Sequence, residues 1–182
     1  MEIRQYPDPV LRQRAEAVVA FDQALAALAQ EMIRTMHEAS GLGLAANQIG
    51  LTQRIAIVAP DDEAGHEIAL VNPQIVHAEE WEESDEGCLS FPGIYIKVGR
   101  FAQVRIRYQN LQGKTCEMEA TSLLARAIQH ELDHLDGRLL VDRMSSIQRM
   151  THRRRLRELT DRFEKRTAEA RERAEAGSKA SR

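Results

Sequence analysis

The sequence predicts an α+β fold: antiparallel sheets around a central helix, with a C-terminal helix. Three observations predict it. Apolar residues alternate with period two in several short runs, the pattern of half-buried strands. Other stretches repeat their apolar residues at helical spacing. Strands and helices do not alternate as βαβ units, which argues against a parallel sheet.

Taken in order, Asp22 is placed to cap a helix that runs to Glu38. Leu25, Leu28, Met32, Ile33 and Met36 give that helix its inner face. Residues 40–50 follow as a glycine-punctuated loop, and strands are expected at 54–59, 68–71 and 74–78. Ile94, Ile96 and Val98 share one strand face, and Val104, Ile106 and Tyr108 share another. Residues 110–113 form a turn, and 114–119 return as the hairpin partner. A helix then opens at Thr121 and runs to Leu135, with Gly137 where a C-terminal cap belongs. Leu124, Ala127, Ile128, Glu131 and Leu135 form one stripe of it. A last helix starts near Ser146 on Leu156, Leu159 and Phe163. Its apolar face then fades, so the tail is expected to fray beyond Ala168.

A chain of 182 residues suits one sizeable core, and no internal repeat divides it. A hydrophobic fraction of 43% excludes a disordered or collagen-like chain. No apolar run approaches the ~18 residues that span a bilayer. Residues 1–10 carry Glu2, Arg4 and Asp8 and no apolar run for export, so the expected location is cytoplasmic. A reducing compartment disfavours a disulfide between Cys88 and Cys116. They are read separately, as a candidate ligand and a packing residue.

The formal charge of -3 hides an asymmetry. Residues 147–182 carry 12 Lys/Arg against 6 Asp/Glu, while 1–146 carry 13 against 22. A basic tail on an acidic body points to an anionic partner for the tail, nucleic acid above all.

The run His130-Glu-Leu-Asp-His134 lies inside the helix that opens at Thr121. Residues four apart share a helical face, so both imidazoles can reach one ion. Glu131 can then reach a water on that ion. A catalytic site of this kind takes three protein ligands and keeps one position open. Downstream candidates for the third are His152, Glu158 and Glu164, all on the arginine-rich last helix. Upstream stands Cys88, in Glu86-Gly-Cys-Leu-Ser90, where Gly87 permits a tight backbone path. One thiolate and two imidazoles suit Fe(II), Zn(II) or Ni(II). Cys88 also has rival readings, as a buried small hydrophobe or as a histidine-activated nucleophile. The chain therefore divides into a catalytic metallohydrolase domain over 1–146 and a basic C-terminal helix with a frayed tail over 147–182.

Three segments stand together: GLGLAANQ at 41–48, EGCLS at 86–90 and QHELDH at 129–134. In this order they resemble the motifs of the peptide deformylases, a resemblance that extends over about residues 6–146. It implies removal of the N-formyl group from the initiator methionine of nascent polypeptides, with release of formate. It implies one divalent ion on Cys88, His130 and His134, natively Fe(II), with Zn(II) or Ni(II) able to substitute. Glu131 becomes the general acid/base, and Gln48 and the Leu89 backbone N–H stabilise the oxyanion. Leu42, Gly43, Leu123 and Ala127 become the substrate-binding residues. Glu86 and Arg100 are expected to pair beneath the cysteine loop, and Asp133 to orient a ligand. The basic tail is expected to meet ribosomal RNA near the exit tunnel. Two positions depart from some family members: Tyr95 replaces an arginine, and Arg126 replaces an apolar residue. The Arg126 stem is expected to line the pocket while its charge reaches solvent.

Overall fold

The computed structural model describes residues 1–60 and 65–180, with side-chain surroundings through Arg173. Its strands are β1 (Gly43–Ala45), β2 (Ile55–Val58), β3 (Ile68–Gly87), β4 (Tyr95–Gln109) and β5 (Thr115–Thr121). They form a single sheet in sequence order, with every neighbouring pair antiparallel. The helices are α1 (Gln23–Glu38), α2 (Ser122–Leu135), α3 (Leu140–Arg143), α4 (Ser146–Thr151) and α5 (Arg153–Ala180). The predicted α+β class holds.

Helix α1 begins as its sequence dictates: the Asp22 carboxylate accepts the Leu25 N–H at 3.0 Å. Its buried face, with Leu25, Met32 and Met36, packs on Leu44, Ile55 and Ile57 of β1 and β2. Helix α2 is the central helix and packs against β1, β2, β4 and β5. Ala125, Ile128 and Leu132 join Val104, Ile106 and Ala120 in one apolar cluster. Gly137 ends this segment at φ +72°, and a side chain there would collide with the Arg12 carbonyl.

Three expectations change in detail. The separate strands at 68–71 and 74–78 belong to one long β3, and the two alternating runs after Ile94 belong to one β4. Register shifts between Val71 and Gln74 and between Ile75 and His77 let β3 pass Pro73, which lacks a donor for the ladder. The 40–50 loop contains β1 and a short 3-10 helix at Ala46–Ile49. Ala45, Ala46, Asn47 and Gln48 are all buried there. The last helix is interrupted at His152, and α5 then continues through Ala168, where fraying was expected, to Ala180. Ala, Glu, Arg and Lys, which dominate that stretch, are strong helix formers.

Candidate active site

Helix α2 carries His130, Glu131 and His134, and the spacing puts both imidazoles on one side. Their ring centroids are 5.0 Å apart. Cys88 arrives from the turn between β3 and β4, with its Sγ 3.2 Å from His134 Nε2. The donor atoms of Cys88, His130 and His134 all lie within 4.8 Å of one another. One sulfur and two imidazole nitrogens at that spacing fit a single borderline divalent ion. His130 Nδ1 lies 3.3 Å from Glu86 Oε2, which places the ring proton there and leaves Nε2 for an ion.

Charge around the site favours a cation. Burial alone would hold His130 neutral, but the Cys88 sulfur, Glu86 and Glu131 outweigh it and push its pKa well above the usual range. The same surroundings that draw a proton to this ring would hold a metal ion. Burial and the neighbouring His130 hold His134 neutral, well below the usual range. A neutral imidazole is the form that ligates a metal. Burial also pushes Glu131 up to about 7, with Glu86 adding to the rise and His130 opposing it. Its Oε2 is buried without a hydrogen-bond partner. Buried polar atoms are rarely left this way unless chemistry uses them.

Gln48 approaches from the short 3-10 helix. Its Oε1 accepts the Ala45 N–H at 2.8 Å, which fixes the amide. Its Nε2 donates to Cys88 Sγ at 3.7 Å and to Ser90 Oγ at 3.4 Å. Gly43 is required where β1 crosses α2, because a Cβ there would collide with the Glu131 carboxylate.

An ion network braces the floor of the site. Arg100 grips Glu86 through two bonds of 2.9 and 3.0 Å; burial would raise the Glu86 carboxyl, but the hydrogen bond with His130 and then those with Arg100 bring it down to about 2. Arg100 also pairs with Asp133, which is shared with Arg143. Asp133 therefore meets arginines, and the ligand-orienting contact made on His130 comes from Glu86. The Arg126 guanidinium does not reach solvent as expected. It is buried, donates to the Val98 carbonyl at 2.9 Å and faces Glu86 and Glu82. Acceptors within reach outweigh hydration at the surface.

A cleft of about 570 Å³ opens over this group. Leu42, Gly43, Gln48, Cys88, Leu89, Leu123, Ala127, His130 and Glu131 all line it. His134 lies behind them, almost fully buried. The motif residues Gln48, Cys88, Leu89, His130, Glu131 and His134 and the expected groove residues Leu42, Gly43, Leu123 and Ala127 are thus brought to one place. Among the described residues, the donor group that gathers around one point is Cys88, His130 and His134, and it includes none of His152, Glu158 and Glu164. Tyr95 lines the rim, 70% exposed, with its ring laid across Gly87. Two contributors escaped sequence reasoning. Ser90 is fully buried and accepts from Gln48. Gln129 clamps α2 to β4 by exchanging hydrogen bonds with both the N–H and the carbonyl of Phe101. Both sit inside motifs already noticed, and that position was the available signal.

Comparisons with known proteins agree with this geometry. The model of the polypeptide deformylase family matches residues 1–150. The peptide deformylase of Acidobacterium capsulatum is 45% identical over 159 residues, covering 86% of this chain and 94% of that protein. That of Thermotoga neapolitana is 42% identical over 158 residues, with the same 86% and 94% coverage. Among solved structures, peptide deformylase 1B of Arabidopsis thaliana superposes with a TM-score of 0.88 at 39% identity, over 92% of this chain and 94% of that one. A Plasmodium falciparum peptide deformylase superposes at 0.85 and 35% identity, over 90% and 97%. On motif order, fold and site together, this chain belongs to the peptide deformylase family.

Proposed function

We propose that this protein is a metal-dependent hydrolase that removes the N-formyl group from the initiator methionine of nascent polypeptides and releases formate. The observation that carries the reading is the meeting of three metal donors, an unpartnered Glu131 oxygen and the Gln48 amide in one cleft. Cys88, His130 and His134 would hold one divalent ion, natively Fe(II), with Zn(II) or Ni(II) as substitutes. When bound, such an ion activates water near neutral pH and polarises a carbonyl.

The chain's own residues supply the rest. Glu131 takes a proton from the attacking water and returns it to the leaving amine nitrogen as the formyl C–N bond breaks. Its raised pKa suits both directions of transfer near pH 7. The Gln48 Nε2–H and the Leu89 backbone N–H donate to the developing oxyanion, each without adding charge. Glu86, gripped by Arg100, holds the His130 ring in place. Leu42 and Gly43 line the peptide side of the cleft, and Leu123 and Ala127 line the pocket for the methionine side chain. Formate release from a formyl-Met-Ala-Ser peptide, with unformylated peptides alongside, tests the reading. Release from the formylated peptide alone is expected, and cleavage of internal bonds in its place would overturn it.

Nascent formylated chains place the enzyme in the cytoplasm, beside the ribosome. No described helix is long and apolar enough to cross a membrane. The domain over 1–146 carries the chemistry, and the basic tail over 147–182 meets ribosomal RNA near the exit tunnel. Arg153, Arg154 and Arg157 are exposed along one end of α5. Ribosome affinity should fall with salt, and replacing these three by Gln should flatten that slope. An unchanged slope would show that these arginines do not contact RNA.

A further inference from the structure

The turn that carries Cys88 continues as Ser90-Phe-Pro-Gly-Ile94, and its residues Phe91 to Ile94 line the cleft. It is tied down from within by the Phe91 N–H to the Cys88 carbonyl at 2.8 Å and the Ile94 N–H to the Phe91 carbonyl at 3.1 Å. The N-terminal segment supports it as well. The Tyr6 N–H donates to the Ser90 carbonyl at 2.9 Å, and the Tyr6 ring stacks on Phe91 at 5.0 Å. Phe91 and Ile94 are fully buried, so these anchors hold the inner half of the turn. The outer half, Pro92 and Gly93, is held differently. Pro92 has no N–H to donate, and Gly93 sits at φ +76°, so the turn offers few bonds of its own at this point.

One side chain from the tail helix fills that role. Arg155, on the first turn of α5, donates from Nε to the Pro92 carbonyl at 3.1 Å. Its guanidinium spreads over Gly93, where an added Cβ would stand 3.3 Å from Nη2. Glu158 fixes the guanidinium from the next turn at 3.0 Å. Leu156 and Leu159 seat α5 in the apolar cluster that includes Phe91 and Ile94. The helix is therefore anchored by its apolar residues, while Arg155 reaches past them to the rim.

We infer that Arg155 is a positioning residue for peptide binding: it holds the Pro92–Gly93 rim of the cleft in place through the Pro92 carbonyl. The inference rests on the deformylase reading for its substrate and goes beyond it in giving α5 a part in forming the site. Arg155 touches no reacting atom. Its removal lowers peptide affinity and leaves the chemical step intact, because the rim contacts ground state and transition state alike. A single donated bond is what counts, so lysine can replace arginine in part.

The test compares Arg155→Ala, Arg155→Lys and, as a control at an exposed arginine of β4 paired only across the β4–β5 hairpin, Arg105→Ala with wild type. Formate release gives kcat and KM separately, and amide hydrogen exchange follows Phe91, Ile94 and the body of α5. Arg155→Ala should raise KM about fivefold, the effect of one lost hydrogen bond, with kcat and metal content unchanged. Exchange at Phe91 and Ile94 should quicken while α5 around Leu159 stays protected. Arg155→Lys should recover most of the KM, and Arg105→Ala should match wild type. The inference fails if KM and rim exchange are unchanged in Arg155→Ala. It also fails if kcat, thermal stability and α5 protection fall together, which marks a merely structural arginine. Absence of formate release by wild type would instead count against the deformylase reading, and rim exchange would still decide the role of Arg155.

Discussion

Helix α2 keeps Arg126, Gln129, Glu131 and His134 at 7% exposure or less, whereas α5 holds Arg153, Arg154 and Arg157 in solvent. Both helices are rich in polar and charged residues, yet burial gives those residues different meanings. On α2 each buried group must be paired or carry chemistry. Arg126 and Gln129 are paired, to Val98, Glu86, Phe101 and Ala125. Glu131 Oε2 is left without a partner and belongs to the proposed proton shuttle, while His134 turns Nε2, its proposed donor atom, toward Cys88 Sγ. On α5 the pairs are surface pairs such as Arg154 with Glu158, which water and salt screen. A charged residue in α2 therefore specifies a site, while one in α5 mostly contributes to a field.

Substitutions that cross this divide should differ sharply in cost. The largest effect is expected for Arg100→Ala, which leaves Glu86 and Asp133 buried beside an empty place. Breaking such a pair costs ~3–5 kcal/mol, to be read by denaturant unfolding. A loss no greater than that of a surface variant would break the comparison. Next comes Gly43→Ala, whose new methyl displaces the Glu131 carboxylate. Misplacing a reacting group by about an ångström costs about 10²-fold in rate, so kcat should fall while metal content holds. The smallest effect belongs to Arg154→Ala on α5, where the guanidinium is 93% exposed. Its unfolding midpoint and its kcat should match wild type, and a measurable loss of either would blur the distinction between the helices.

Much of the site was legible in the sequence because its key residues lie in short local patterns. His130, Glu131 and His134 needed only helical spacing to be read as one group, and Gly137 marked where their helix ends. The capping role of Asp22 was equally local. The unreadable parts depend on partners distant in the chain. The orientation of Arg126 is set by Val98 and Glu82 on neighbouring strands. The role of Glu86 on His130 is visible only once folding brings the end of β3 within 3.3 Å of that ring. The continuity of β3 past Pro73 rests on register shifts against β4, and period-two patterning does not report them. The link from Arg155 to Pro92 spans 63 residues and joins a helix to a turn that no shared motif connects.

In the proposed mechanism Glu131 moves the proton, while Cys88, His130 and His134 hold the metal. Measuring formate release and bound metal on the same sample of Glu131→Ala tests it most directly. One divalent ion per chain is expected, as in wild type, with formate release lowered by at least about 10²-fold. Formate release at the wild-type rate with the metal in place would contradict it.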